Sequence, residues 1–388
     1  SHAVIYGEAR VGGAIFYQTN SGTGDRYFHR CIAFAGHEID SYTTIYVDAE
    51  AVTLDGSGNV TAPAKWVGLI RIKQLLGTDT QAADSDLVSE ITEWTTAHQA
   101  KGIAYLYCRF DFNATAFPNG LPTVTALVKG KKILDTRTGT TAWSDNPAMI
   151  VRDYLISDYG LAATSSEINE TLFNVAADIC EETVASADRY TCNGAFLLDA
   201  APESLLRVLL SSMGGLFWYL QGQWACRAAS YVSPTMQFNE DDLRGNMRSS
   251  TRHSRRDNFN IVRGIYRGPA TDWQETDYTE VTDAAFVTED NGVETATDLP
   301  LIFTDTDVMA QRIAKIALRR NRQQLVVSAA FGLRALDVKV GDTIMFSNTR
   351  ANWTDKVFEC VDWRFGLTSN MDLQINMILS ETDPSVFT

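Results

Sequence analysis

Residues 145–159 read Asp-Asn-Pro-Ala-Met-Ile-Val-Arg-Asp-Tyr-Leu-Ile-Ser-Asp-Tyr, and this stretch decides how the rest of the chain is divided. Asn146 is a good N-cap because its side chain can accept a hydrogen bond from a free N–H of the first helical turn. Pro147 then falls at the first helical position, where it loses no hydrogen bond, and Gly160 supplies a left-handed stop. The predicted helix has one apolar face, formed by Ala148, Val151 and Leu155. That face needs a partner, so the following segments are expected to fold against it.

The segments after Gly160 predict two more helices and a hairpin. One helix is capped by Asn169 or Ser166, and the next is capped near Asp199 with a proline in its first turn. Two apolar-rich runs, 216–220 and 223–227, flank a Gln-Gly turn and predict a β-hairpin. Together with the first helix they predict a compact α+β insert domain over residues 141–232.

Two β-rich regions flank this insert, residues 1–140 and 233–388. Apolar alternation over 338–346 is typical of a strand that enters a small barrel. The predicted fold class is α+β and β-rich: a multidomain protein with small β-barrel domains and an α+β insert, in which the two flanking regions can interleave. The second region also carries one long helix, 305–321, with a buried stripe predicted at Val308, Met309, Ile313, Ile316 and Ala317.

Within the first region, residues 124–128 and 133–134 are short apolar runs on either side of Gly130. A glycine between two such runs predicts a β-hairpin around Gly130. The polar, turn-prone run 135–144 that follows is expected to be a domain boundary.

The charge balance bears on possible partners. The chain has 388 residues with 33 Lys and Arg against 48 Asp and Glu, which gives a formal net charge of −15. Tight binding to DNA depends on clustered cations, so a net acidic chain is a poor candidate for it. An acidic balance instead suits a surface that DNA must slide past without sticking.

The sequence predicts no catalytic, cofactor-binding or metal-binding residue, and no cofactor. The six cysteines include no Cys-x-x-Cys pair and are interpreted as buried thiols in a reducing compartment. The run 37–41, His-Glu-Ile-Asp-Ser, lacks the second histidine of a zinc-protease helix. No run of about 18 apolar residues predicts a membrane-spanning helix. No signal peptide is predicted, and Ser1-His2 without methionine indicates a processed start.

Two stretches have both a functional and a structural interpretation. His37 is interpreted as a turn or sheet-edge residue rather than as a catalytic base. Residues 248–256 form the most basic patch, with Arg248, Arg252, His253, Arg255 and Arg256. DNA contact is one interpretation of this patch. A solvated or subunit-contacting loop is favoured, because no interleaved aromatic residues provide a stacking platform.

Several stretches of the chain form a recognisable series. They are Tyr-Gly-Glu-Ala-Arg-Val-Gly-Gly at 6–13, Ala-Gly-His-Glu-Ile at 35–39, Phe-Pro-Asn-Gly-Leu-Pro at 117–122, Gly-Lys-Lys-Ile-Leu-Asp-Thr-Arg at 130–137, Asn-Pro-Ala at 146–148 through Asp-Tyr-Leu at 153–155, Ser-Arg-Arg-Asp-Asn-Phe-Asn at 254–260 and Glu-Thr-Asp-Pro-Ser-Val at 381–386. In this order they resemble the tail-tip (central hub) proteins of long-tailed bacteriophages, the lambda-type tip attachment protein J group. Thr136 stands where the family pattern has proline.

This resemblance implies a non-enzymatic structural hub that closes the distal end of a tail tube and takes part in host attachment. It implies a homotrimer in the virion, assembled in the bacterial host cytoplasm, in which β-barrel domains of three subunits form a ring around a channel. The implied partners are the distal tail protein, the tape-measure protein and other tail-tip proteins. DNA is implied only in transit, and no membrane insertion is implied for this segment.

Two other functions stay open at this point. A tail-associated cell-wall or polysaccharide hydrolase would need two carboxylates across a cleft, and no spacing singles out such a pair. A receptor-binding module would usually carry repeats or exposed aromatic loops. Most of the Trp and Tyr residues instead fall inside strand patterns, where core packing is the commoner explanation.

Overall fold

A computed structural model of the chain describes residues 3–252, 254, 257–367 and 373–388. Over these residues the protein is rich in β-strands, which are arranged in several sheets, and it contains six α-helices. The predicted β-rich α+β fold class is confirmed. No helix among the described residues combines the length and the apolar character that crossing a bilayer requires.

The elements are numbered in chain order. Up to residue 163 they are β1 (Ala3–Tyr6), β2 (Glu8–Gly12), β3 (Ala14–Ser21), β4 (Tyr27–Ala35), β5 (Ser41–Val47), β6 (Glu50–Leu54), β7 (Val60–Ala62), β8 (Ile70–Leu76), α1 (Ser85–Glu90), β9 (Ala104–Asp111), β10 (Val124–Lys129), β11 (Lys132–Asp135), β12 (Thr140–Trp143) and α2 (Pro147–Ile156). They continue with α3 (Glu170–Cys180), β13 (Thr183–Val184), β14 (Ala187–Asp188), β15 (Gly194–Leu197), α4 (Pro202–Ser211), β16 (Leu216–Leu220), β17 (Gln223–Arg227), β18 (Met236–Phe238), β19 (Arg248–Ser250), β20 (Ile261–Arg263), β21 (Ile265–Tyr266), β22 (Thr276–Asp277), β23 (Val281–Thr282), α5 (Ala284–Glu289), β24 (Ala296–Asp298), α6 (Asp307–Arg322), β25 (Val326–Phe331), β26 (Thr343–Asn348), β27 (Trp353–Leu367) and β28 (Leu373–Glu381).

The chain forms two compact units, and each is assembled from two separate lengths of sequence. The first unit comprises Ser1–Ala163 and Thr191–Leu209, and the second comprises Thr164–Tyr190 and Leu210–Thr388. The three-domain division into 1–140, 141–232 and 233–388 stays a prediction.

The first unit contains two sheets that share one apolar core. One sheet has the strand order β2-β10-β5-β6-β7 and the other β3-β4-β9-β8. Both sheets contribute fully buried side chains to the same cluster, including Phe34, Val47, Leu106 and Ala126. The opposite face of the four-stranded sheet packs against α1 and the segment after it, through residues such as Tyr105 and Leu87.

The second unit is built around a six-stranded sheet with the order β18-β26-β27-β28-β25-β19. Its core is aromatic: the ring of Phe331 lies 5.3 Å from that of Phe238 and 5.6 Å from that of Phe346. The sheet begins at β18 and ends at β19, and no sheet closes on itself within the described residues. The predicted small closed barrels are therefore absent from this part of the chain, because the two terminal strands do not pair.

Several local predictions are confirmed. Asn146 accepts hydrogen bonds from the N–H groups of Ala148 and Met149, and Pro147 is the first residue of α2. Asn169 caps α3, and the strands β16 and β17 pair as a hairpin. Its two turn residues, Gln221 and Gly222, both have positive φ, as a tight two-residue turn requires.

Other local predictions are wrong. Helix α2 ends at Ile156 with an extended cap at Ser157, so Gly160 is not its left-handed stop. No hairpin forms around Gly130, since β10 pairs with β2 and β5 while β11 pairs with β12. Val308 is 61% exposed and does not belong to the buried stripe of α6, whereas Met309 and Ile313 do.

Candidate functional site

Three of the family-like stretches meet in the first unit, around the end of β1. Lys131 N–H donates to Ile5 O at 2.8 Å, and Gly130 N–H donates to Gly7 O at 2.8 Å. These bonds join parts of the chain that are more than 100 residues apart. We call the side-chain cluster beside them the polar junction, which comprises Tyr6, Lys131, Asp153, Ser157 and Tyr159.

Lys131 and Asp153 form the centre of the polar junction. Lys131 Nζ lies 2.7 Å from Asp153 Oδ2, 3.2 Å from Ser157 Oγ and 3.1 Å from Tyr159 OH. The two charged side chains are 23% and 18% exposed. Burial acts to lower the pKa of Lys131, but the neighbouring Asp153 and Tyr159 outweigh it and the pKa is raised. Lys131 is therefore a protonated, paired ammonium group rather than a nucleophile.

Tyr6 approaches the same carboxylate from β1. Its side chain is fully buried, and its O–H donates to Asp153 Oδ2 at 2.6 Å, with Tyr159 OH 3.0 Å away. Burial and the charge of Asp153 raise its pKa well above the ordinary value. Asp153 thus accepts bonds from both β1 and the Lys131 segment, which ties α2 to two distant pieces of chain.

A second set of contacts fixes the turn between β1 and β2. Gly7 has a φ of +60°, and a Cβ there would collide with Asn193 Oδ1 and Cys192 O. Asn193 Oδ1 accepts the Glu8 N–H at 2.7 Å, and Trp143 Nε1 donates to Gly7 O at 3.0 Å. The sequence predictions missed Asn193, because nothing in the residues around it marks a long-range contact.

His37 is part of the structural framework of the first unit. Its Nε2 accepts the Ile5 N–H at 3.1 Å, and its Nδ1 lies 2.7 Å from Glu38 O. A carbonyl oxygen only accepts, so the hydrogen must sit on Nδ1 and the ring is neutral. Burial lowers its pKa. Both ring nitrogens of His37 thus bind backbone groups and clamp them together, which agrees with a structural rather than a catalytic interpretation.

A polar cavity of about 890 Å³ in the second unit contains carboxylates that a hydrolase could use. Two of these carboxylates already have partners. Asp290 is paired with Arg322 and accepts from Asn260 Nδ2 at 2.8 Å, and Glu381 lies 2.5 Å from Lys356 Nζ. Both carboxylates are engaged in ion pairs, whereas a glycosidase needs two carboxyl groups that flank the bond to be cleaved. The geometry of this cavity does not favour hydrolysis.

The basic stretch 248–256 is only partly described. Arg248 lies in β19 at the edge of the six-stranded sheet and is exposed, as is Arg252. His253, Arg255 and Arg256 lie outside the described residues. Within the described residues no group of three or more His, Cys, Asp or Glu side chains could hold a metal ion.

Comparisons with known proteins come from sequence and from fold. A family profile described as "Putative phage tail protein" matches residues 201–359, less than half of the chain. Among curated proteins no significant match was found. A chain from the virion of the native gene transfer agent particle matches with a TM-score of 0.69 and 16% identity, over 100% of this chain and 86% of that one.

Two solved tail proteins match less well. One is the tail protein from Neisseria meningitidis MC58, with a TM-score of 0.40 and 12% identity over 98% of this chain and 99% of that chain. The other is the 43 kDa tail protein of prophage MuSo2 from Shewanella oneidensis, with a TM-score of 0.37 and 10% identity over 100% of both chains. The family match supports a phage tail protein, and the likeness to the gene transfer agent chain shows a shared fold.

Proposed function

We propose that this protein is a structural hub of a phage or prophage-derived tail tip, where it closes the distal end of the tail tube. The observation that carries the proposal is the fold: it matches a chain of a virion particle along its whole length. The family match over 201–359 supports the same class of protein. The polar junction is consistent with a structural role, because its lysine, aspartate and tyrosine side chains bind one another and hold distant segments of the chain together.

The proposed hub is a homotrimer located in the virion. Its proposed partners are the distal tail protein, the tape-measure protein and other tail-tip proteins, with assembly in the bacterial host cytoplasm. The resemblance carried in part by the stretches at 6–13, 130–137 and 146–155 implies this assembly, and in the first unit these three stretches meet. The described residues are expected to act without membrane insertion.

The proposed hub takes part in host attachment and lets DNA pass without holding it. A net charge of −15 supports this, because carboxylates that face a channel repel phosphates. We expect a trimer lumen lined by more carboxylates than cations. A cation-lined lumen would contradict this part of the proposal while leaving the structural role intact.

Two measurements test the proposal. Analytical ultracentrifugation of the purified chain should give the mass of three 42.9 kDa subunits. Electron cryomicroscopy of particles that contain the protein should place a threefold ring coaxial with the tail tube at its distal end. A monomer in solution together with a location on side fibres would overturn the hub and favour a receptor-binding module.

The hydrolase alternative is tested separately. A zymogram on peptidoglycan or capsular polysaccharide should show no clearing at the position of this chain. Clearing that survives purification to homogeneity would favour the hydrolase.

A further inference from the structure

A second polar cavity of the second unit, of about 500 Å³, lies beside the turn that joins β26 to β27. Its volume falls within the roughly 300–1,000 Å³ of ordinary small-ligand sites. Two segments form its wall, the stretch that follows β18 and the β26–β27 turn with its flanking residues. They include Asn239, Asp241, Asn348, Thr349, Asn352 and Trp353. The proposed hub role assigns no task to this cavity.

Asn348 is the most deeply buried residue of the cavity wall. It is only 6% exposed, and its Oδ1 accepts the Ala351 N–H at 3.0 Å. Because an N–H can donate only to the amide oxygen, this bond fixes which end of the Asn348 side chain is the Nδ2 donor. Among the residues that the structure describes, that Nδ2 has no hydrogen-bond partner, and protein atoms do not enclose it. A buried asparagine therefore presents a free N–H2 group to the cavity.

The stretch after β18 adds another donor and an acceptor. Asn239 Oδ1 accepts the Asp241 N–H at 2.9 Å, so the Asn239 Nδ2 is again the free end of the amide. The carboxylate of Asp241 is exposed and has no partner within the described part of the chain. Across the cavity wall, Asn352 is exposed in the β26–β27 turn and offers both a donor and an acceptor. The wall thus provides N–H groups and carboxylate oxygens together.

Trp353 adds an apolar surface to these polar groups. Asn348 and Trp353 are opposite one another in the antiparallel pair of β26 and β27, so their side chains lie on the same side of the sheet. The indole ring lies 5.6 Å from the ring of Phe358 and 6.2 Å from that of Phe346, which hold it against the core. Trp353 is only partly buried and also lines the cavity. A fixed aromatic ring therefore lies next to the free amide of Asn348.

The charges around the cavity restrict the ligand. The carboxylates of Glu240 and Asp241 line it, whereas no Lys or Arg is among its described lining residues. Glu240 accepts the Thr349 N–H, and its hydrogen bonds to Thr349 lower its pKa, with a smaller contribution from the nearby Arg350. An anionic ligand would be repelled by these carboxylates. A bare metal ion would face amide N–H groups, which cannot coordinate it. The wall therefore suits a neutral ligand.

A neutral sugar matches the groups of this wall. Each sugar hydroxyl both donates and accepts, so it can bind an amide N–H and a carboxylate oxygen at once. The C–H face of a pyranose ring is apolar and can pack on an indole.

We propose that this cavity binds one neutral pyranose unit of a surface glycan. Asn348 and Asn239 donate hydrogen bonds to its hydroxyls, and Asp241 accepts from them. Trp353 contacts the apolar face of the ring. A glycan on the host surface is the ligand that host attachment needs, so this biological role rests on the proposed function, whereas the binding itself does not.

Saturation-transfer NMR on the full-length chain tests the proposal. The probes are glucose, galactose, mannose and N-acetylglucosamine, and glucuronic acid serves as the negatively charged counterpart of glucose. We expect saturation transfer from the protein to at least one of the four neutral sugars, and weaker transfer to glucuronic acid. Titration of the neutral sugar that binds then gives its Kd.

Three variants locate the site. Asn352 has a φ of +56°, which glycine adopts freely, so Asn352→Gly removes the amide and keeps the turn. Asp241→Asn keeps the shape of the side chain but replaces an acceptor oxygen by a donor. Each should raise the Kd by about 3–10-fold, as expected for the loss of one hydrogen bond. Asn348→Asp keeps the bond to the Ala351 N–H, removes the donor and adds a negative charge, so a larger loss is expected.

Asn291→Gly is the matched control. Asn291 is an exposed asparagine of the same unit with a φ of +58°, and it is not among the residues that line this cavity. The same substitution on the same backbone conformation should leave the Kd unchanged. If Asn348→Asp does not fold by circular dichroism, the two exposed positions 241 and 352 still decide the outcome.

Three results would overturn the proposal. They are no transfer to any of the four neutral sugars, a Kd unchanged in both Asn352→Gly and Asp241→Asn, and transfer to glucuronic acid that equals transfer to the neutral sugar. The hub is tested separately by the subunit mass without sugar. A trimer that binds no sugar refutes this inference alone, and a monomer that binds sugar at this cavity refutes the trimer alone.

Discussion

Lys131 Nζ lies 2.7 Å from Asp153 Oδ2, which links the segment before β11 to the last turns of α2. The same carboxylate accepts from Tyr6 OH at 2.6 Å. One aspartate therefore holds three separate stretches of the first unit together. Its removal should destabilise the protein more than the loss of a single surface ion pair would.

Asp153→Asn should destabilise the protein while keeping the shape of the side chain. It leaves the Lys131 ammonium without its charge partner, and breaking a fully buried pair costs about 3–5 kcal/mol. Because 18–23% of the two side chains is exposed, we expect a loss of about 1–3 kcal/mol in the free energy of unfolding. Urea denaturation measures it. The control is Glu50→Gln, whose partner Lys65 is 47% exposed and whose loss should be below about 1 kcal/mol. Equal losses in the two variants would contradict the central role of Asp153.

Gly7→Ala should destabilise far more than Gly12→Ala. A side chain at Gly7 meets Asn193 and Cys192 and is strained at a φ of +60°, whereas a Cβ at Gly12 meets nothing within 4 Å. The left-handed conformation alone costs roughly 1–2 kcal/mol for an alanine, and the collision adds to it. Thermal unfolding should show a large drop for Gly7→Ala and a change of a few degrees at most for Gly12→Ala. Similar melting temperatures would argue against this packing of the β1–β2 turn.

Phe110→Ala and Phe112→Ala form a matched pair at the end of β9. Phe110 is fully buried in the shared core, whereas Phe112 is 60% exposed. Removing a buried phenylalanine costs about 3–5 kcal/mol in transfer and cavity energy, and removing an exposed one usually costs less than about 1 kcal/mol. Chemical denaturation of both variants checks the prediction, and the reverse order of losses would place the core elsewhere.

Stability should fall as the pH drops below about 6.5, the ordinary histidine value. The folded-state pKa of His37 is lowered by burial, so the unfolded chain takes up a proton that the native chain resists. The stabilisation is therefore complete above the unfolded pKa and is lost as the pH falls toward the folded one. Denaturation midpoints between pH 7.5 and 5 should decline.

Two histidine variants assign this pH effect. His37→Gln should decline less steeply than the wild type. A residual decline is expected, because the pKa of His29 is lowered in the same direction. His98 is exposed, so His98→Gln serves as the control and should follow the wild type. A His37→Gln curve parallel to the wild-type curve would count against the clamp on Ile5.

Short-range signals in the sequence predicted local structure well. The caps at Asn146 and Asn169 depend on bonds to residues two or three positions away, and both are present. The hairpin predicted around Gly130 failed because strand pairing is decided at long range: β10 pairs with β2 and β5 instead. The residues next to Gly130 in the sequence do not indicate which distant strands β10 will pair with.

The polar junction could be predicted only in part. The family-like stretches containing Tyr6, Lys131 and Asp153 were identifiable, but their meeting point depends on backbone bonds that no periodicity reveals. Asn193 lay outside every recognised pattern, although its side chain accepts the Glu8 N–H. Val308 was misplaced because its spacing on α6 fits the stripe, while the packing leaves its side chain 61% exposed.

The two compact units alternate along the sequence, because each consists of two separate segments. This organisation constrains where recombination can exchange part of such a gene. Strand β1 pairs with β15, so residues at 3–6 and 194–197 are partners although nearly the whole first unit separates them. A recombination event that exchanged only the part of the gene encoding residues up to 163 would pair β1 from one parent with β15 from the other. A breakpoint after residue 209 would in turn separate 164–190 from 210–388 of the second unit, so viable mosaics between diverged tails should inherit both segments of each unit from the same parent.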